Sequence, residues 1–174
     1  GGSGITVQND GGALVTLGTT LNFTGAGVVA SGTGATKTIT IDGGGSLQAR
    51  TTKNATTASL SAGASGDLSI TAFKAYNLLK IAIDHPAWAR LYVDSASRTS
   101  DASRVEGTDP LPGSGVIAEV LTTTAGASTF LMSPGVIGWN NDGTPSTTVY
   151  AKVTNKDSSA RAITVTLTLI QAEA

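Results

Sequence analysis

His85 is the only histidine of the chain, so a nucleophilic triad of the serine–histidine–carboxylate kind would have to be built on it. It stands in Asp84-His85-Pro86, and a residue that precedes proline is extended or turning. No Gly-x-Ser-x-Gly elbow occurs anywhere. The residue reads as a turn histidine hydrogen-bonded to Asp84, without a catalytic role. The run Gly32-Thr33-Gly34-Ala35-Thr36-Lys37-Thr38 echoes a phosphate loop but lacks a glycine directly before the lysine. The alternation that follows it predicts a strand, whereas phosphate is held at a helix N-terminus. Asp94, Asp101, Glu106 and Asp109 lie in or beside one long connection, with Arg98 and Arg104 interleaved. Their spacing is not that of an EF-hand, and the reading is a self-neutralising salt-bridge network rather than a calcium site. A glycosidase would need two facing carboxylates about 5–10 Å apart, and a chain with 13% charged residues argues against it. No metal site, no cofactor and no enzymatic activity are expected.

The polar cluster best suited to binding is Trp139-Asn140-Asn141-Asp142. An aromatic face beside amides and a carboxylate suits the hydroxyls and C–H groups of a sugar. Together with Arg98 and Arg104 these four form the candidate receptor-binding set. The competing reading is structural: Trp139 plugs its own loop and Asn-Asn-Asp-Gly turns the chain. Trp88, Arg90 and Tyr92 share one face of an expected strand, either as an exposed patch or subunit contact, or as core packing.

The elements that would carry these groups are strands. Twenty-two of the 174 residues are glycine, and serine and threonine replace the missing charge, which favours pleated, half-buried surfaces joined by turns. Eleven basic against twelve acidic residues give a net charge of −1, so no basic face for nucleic acid is expected. Cysteine is absent, which excludes disulfides, thiol nucleophiles and thiolate metal sites together. No apolar run reaches the roughly 18 residues of a membrane span, and no membrane insertion is expected. The opening Gly1-Gly2-Ser3-Gly4, without an initiator methionine, reads as a tag remnant or as the cut end of a longer protein.

Two domains are expected. Residues 1–45 read as a glycine- and threonine-rich β module: Ile5–Val7, Ala13–Leu17, Leu21–Phe23, Val28–Ala30 and Lys37–Ile41 alternate apolar with polar. Turn chemistry separates them at Asn9–Gly12, Gly25–Gly27 and Ser31–Gly34. About 40 residues without disulfides or metal must oligomerise to bury enough surface. Gly43-Gly44-Gly45 reads as a linker. Residues 46–174 can hold a full core. Strands are expected at 56–60, 67–72, 75–84, 87–94, 115–123, 128–132, 147–154 and 162–171, with long loops over 95–114 and 133–146. Eight strands predict a jelly-roll-like antiparallel sandwich, with an immunoglobulin-like topology as the alternative.

The pattern LNFTGAGV at 21–28 and GTGATKTITI at 32–41 resembles a module of tail-fibre and other virion appendage proteins of tailed bacteriophages, many from cyanobacterial hosts. That likeness covers residues 5–42. The stretches 76–104, 112–120, 133–142 and 149–155 look like the head domain that ends such fibres. The resemblance implies a homotrimer with a β stalk and a β-sandwich head, located in the virion. Its partners would be other virion proteins and a host cell-surface glycan or protein, and its role host attachment. The alternative is a capsid-surface knob or decoration protein that binds coat subunits.

Overall fold

The computed structural model describes residues 8–9, 12–13, 22–24, 27–33, 35–41 and 48–174. The chain divides into two compact units, Gly1–Leu47 and Gln48–Ala174. The strand expected at Ile5–Val7, the one expected at Ala13–Leu17 beyond Ala13, and the linker Gly43–Gly45 lie outside the described residues.

In the first unit, β1 (Gln8–Asn9) pairs with β2 (Gly12–Ala13), and β3 (Val28–Ser31) pairs with β4 (Thr38–Ile41), both antiparallel. The register Val28↔Ile41 and Ala30↔Ile39 puts these four side chains on one face of the second hairpin. Gly32, at φ 107°, takes the chain out of β3 in a conformation that disfavours other residues. Lys37 Nζ donates to the Gly32 carbonyl at 2.9 Å, so the lysine of the phosphate-loop echo serves the hairpin. None of residues 22–24, 27–33 and 35–41 is buried; Val29 is 58% and Ile41 63% exposed.

The second unit is a sandwich of two four-stranded antiparallel sheets. Its strands are β5 (Thr51–Thr56), β6 (Ser65–Thr71), β7 (Ala75–Ile83), β8 (Ala87–Tyr92), β9 (Val116–Thr122), β10 (Ser128–Trp139), β11 (Thr148–Asn155) and β12 (Thr164–Glu173). One sheet runs β10-β7-β12-β5, the other β6-β11-β8-β9. The pairs β5·β12, β6·β11, β7·β10 and β8·β9 are nested, the winding of a jelly roll. An immunoglobulin-like order would not nest them.

Alternation explains the core. Val165, Leu167 and Leu169 point inward from β12, opposite Ile83, Ile81 and Leu78 of β7, while Thr164, Thr166 and Thr168 point out. Ala89 and Leu91 of β8 and Val149, Ala151 and Val153 of β11 face them from the second sheet. Three expectations are corrected. The strand expected at 56–60 lies earlier, at Thr51–Thr56, with Leu60 making only a bridge to Arg161. The connection 95–114 begins with a short helix, α1 (Ser95–Ser100), because Asp94 caps it: its Oδ1 accepts the Ser97 amide at 2.6 Å. The first half of the loop expected at 133–146 is strand, up to Trp139, while 140–146 is loop. β10 leaves its register between Leu131 and Val136, opposite a bulge at Leu79, and then resumes to Trp139. Ser-Pro-Gly reads as a turn locally, but on an edge strand a proline and a bulge are tolerated.

Candidate functional site

The first candidate cluster is internal. Trp88, Arg90 and Tyr92 alternate with the core residues Ala87, Ala89 and Leu91, so they occupy the outer face of β8. That face would be wet but for the segment after α1, which ends the helix at Asp101 and lays its carboxylate over them. Asp101 Oδ2 accepts from Tyr92 Oη at 2.7 Å and from Arg90 Nη1 at 3.2 Å; Oδ1 accepts from Arg104 Nε at 2.8 Å. The Arg90 guanidinium lies 3.9 Å from the Trp88 ring centroid, and that of Arg104 5.1 Å. Glu119, on β9 opposite Arg90, closes the network: it accepts from Trp88 Nε1 at 3.2 Å and from Arg104 Nη2 at 2.6 Å. Burial alone would raise the Asp101 pKa, but the bonds from Arg104 and Tyr92 and the charges of Arg104 and Arg90 hold it below the usual carboxylate range. Desolvation first, then the bond to Asp101, pushes the Tyr92 hydroxyl well above its ordinary value. With Arg90 only 1% exposed, its guanidinium faces the protein and not solvent. The constellation clamps a long connection onto the sheet.

The receptor-binding candidates come apart under the same scrutiny. The Arg104 side chain is 8% exposed and held by Asp101 and Glu119. Arg98 faces Asp67 at 3.4 Å and donates to the Leu68 carbonyl at 3.1 Å. Neither guanidinium is presented to a ligand, because each is already committed to its own chain. Asn140 is buried, and its carboxamide is spent on its loop. It donates to Asp142, Ser146 and the Thr148 carbonyl, and it accepts the amides of Asp142 and Ser146. Asp142 in turn accepts from Tyr150 Oη at 2.8 Å, a bond that leads the causes raising the tyrosine's pKa. The structural reading of Asn-Asn-Asp-Gly therefore holds for Asn140 and Asp142.

Trp139 and Asn141 are placed differently. Both line a cleft of about 500 Å³, within the size range of small-molecule sites. It lies where the unpaired edges of the two sheets, β9 and β10, run along the same flank of the sandwich. Val116 and Ile117 come from β9, Ile137 and Trp139 from β10, and Leu111 from the connection that leads from α1 into β9. The lining contains no ionisable side chain. Trp139 is 49% exposed and so is not a plug. Asn141 is pinned: its amide donates to the Val93 carbonyl at 2.8 Å, and its Nδ2 donates to Asp94 Oδ2 at 3.2 Å. The Asp94 carboxylate that orients it is held anionic, chiefly by the helix amide of Ser97. Gly115 backs the cleft at φ 73°, where a Cβ would run into Ser97 and Val93. The site is carried partly on strands β9 and β10 and partly on the Pro110–Gly115 connection.

Sequence reasoning missed Leu111 and Ile137. A signal existed for the first: a leucine between Pro110 and Pro112 in a polar connection has no periodic face to hide on. Ile137 was hidden by the expectation of a loop. His85 is half-buried, and Asp84 takes a different partner, accepting the Thr164 amide at 2.8 Å. Glu106 pairs with Lys156 at 2.8 Å, and among the described residues no three acids converge. No helix among them is long and apolar enough to cross a membrane. No family model, curated protein or solved structure matches the chain.

Proposed function

We propose that this chain is a non-enzymatic virion protein of a tailed phage, the distal part of a trimeric tail fibre that attaches to the host surface. The observation that carries the reading is the uncharged, Trp139-bordered cleft on a rigid jelly roll. It is a surface for recognising a neutral group, without titratable side chains for chemistry. The first unit adds the need for partners. Its described apolar side chains, Val29 and Ile41 among them, remain in water, and copies of the same hairpin would cover them. Three identical weak sites on one shaft act at high effective concentration, so a modest single-site affinity becomes durable adsorption.

The test is adsorption of purified protein to host cells, with bare capsids as the alternative target. Trp139→Ala is expected to reduce cell binding without lowering the melting temperature. Loss of folding would return Trp139 to a structural role. Binding to capsids but not to cells would favour a decoration protein instead.

A further inference from the structure

The lining of the cleft between β9 and β10 restricts its occupant by more than the absence of charge. Most of it is C–H surface: Leu111, Val116, Ile117 and Ile137, beside the ring of Trp139. Leu111 is 79% and Ile137 72% exposed, so this apolar surface stands in water. Three polar side-chain groups interrupt it. Asn141 spends its backbone amide on Val93 and its Nδ2 on Asp94, which fixes the carboxamide and leaves Oδ1 as an unspent acceptor. The Ser114 hydroxyl and Trp139 Nε1 likewise have no partner among the described residues.

Four kinds of occupant fit this lining badly. A hydrocarbon chain would cover those three groups without replacing their water, leaving each unpaired. A sugar hydroxylated at every carbon would press hydroxyls onto Leu111 and Ile137, where nothing returns the hydrogen bond. A carboxylate or phosphate would lose its water against a lining that holds no cation. An added peptide strand finds too short an edge. Beside the cleft β10 is regular only over the four residues Val136–Trp139, between its irregularity and the return of Asn140 to Lys74. A strand typically has roughly five or six.

We infer that the cleft takes an uncharged hexose bearing a methyl group. A deoxyhexose, with methyl in place of hydroxymethyl, and an N-acetylhexosamine share that chemistry. The C–H face of the ring lies against Trp139, whose π face attracts it. The methyl group sits among the aliphatic side chains, and the polar edge of the sugar meets Ser114 and Asn141 Oδ1. The inference rests on the proposed attachment role and names the class of group recognised.

The test places the full-length protein on an array of bacterial surface glycans. It is expected to retain neutral glycans whose exposed sugar is a deoxyhexose or an N-acetylhexosamine, and not plain hexoses, uronic acids or phosphorylated sugars. Either methyl-bearing class retained alone supports the inference and identifies the source of the methyl. The retained sugar is then titrated in solution against its counterpart without the methyl group. Trp88 is 6% exposed and Trp139 49%, so a change in tryptophan emission reads the cleft. One buried methyl should give about fourfold tighter binding. Ile137→Thr, which keeps a β-branched residue on the strand, should reduce that preference at an unchanged melting temperature. Equal affinity for the two sugars, a preference untouched in Ile137→Thr, or retention mainly of anionic glycans overturns the inference. An array without bound glycan overturns it too, and if the same protein adsorbs to host cells the attachment role survives. Binding of methyl-bearing sugars by a protein that does not adsorb to cells supports the inference and overturns the attachment role.

Discussion

Removing the Asp101 carboxylate leaves Arg90 as a charge in the wrong place. In Asp101→Ala, Arg104 keeps Glu119 and the Thr108 carbonyl, so its loss is small. Arg90 keeps only the Asp101 backbone carbonyl at 3.0 Å and the Trp88 ring, and its side chain is 1% exposed. Breaking a buried pair from one side costs about 3–5 kcal/mol, a large share of the roughly 5–15 kcal/mol that holds a domain together. For a unit of this size that lowers the melting temperature by roughly 10–20 °C. Asp101→Asn keeps an acceptor for Tyr92 and should lose about half as much. Removing both charges, in Arg90→Met with Asp101→Ala, should recover part of the loss, since the orphaned cation is then gone. Thermal unfolding followed by near-ultraviolet circular dichroism measures all three. A single mutant melting within about 2 °C of wild type, or a double mutant worse than Asp101→Ala, would refute the argument that Arg90 depends on this carboxylate.

Acid should act on the same network. The folded pKa values of Asp101 and Asp94 lie below their unfolded values, so their stabilisation is fully present above about pH 4–5 and is lost as pH falls through the depressed values. Urea midpoints should therefore be flat from pH 6 to 8 and drop below about pH 4, and the acid drop should shrink in Asp101→Asn. Asn140→Ala, which strips five hydrogen bonds from the 140–148 loop, should cost about 1–3 kcal/mol in urea unfolding and also weaken cell binding through Asn141. Gly115→Ala should cost at least ~1–2 kcal/mol for its left-handed backbone alone, with added loss from the Ser97 and Val93 clash; an unchanged midpoint would mean that the cleft wall is soft. Gly138→Ala drives a Cβ into the Tyr76 ring, and should be destabilised by about 1–3 kcal/mol, visible in the same titration.

Much of the second unit was legible because its information is local. Ile163, Val165, Leu167 and Leu169 alternate with threonines, and period two has only one structural meaning at that length. The strands at 75–83, 87–92 and 148–155 were readable for the same reason. The errors cluster where a local signal competes with a distant partner. Ser133-Pro134-Gly135 signals a turn, yet the edge of a sheet absorbs it as an irregularity and recaptures the chain at Val136.

The roles of polar side chains were the least readable. Arg90 and Asn140 have the composition of surface residues, but each is buried because a segment remote in sequence is laid over it or folded around it. Arg98 and Arg104 look available in a list of cations and are not, since their acids arrive from β6 and β9.

Composition and periodicity alone determined an all-β chain without thiol chemistry, one whose first forty residues carry little apolar mass and whose remainder can enclose a core. Those properties follow from side-chain size, charge and spacing along the backbone. The nesting of strand pairs, the clamp over Trp88 and the cleft between β9 and β10 were decided only by the tertiary structure. Each depends on which of several equally alternating strands become neighbours, and that choice is made by packing across the sandwich, not within any one segment.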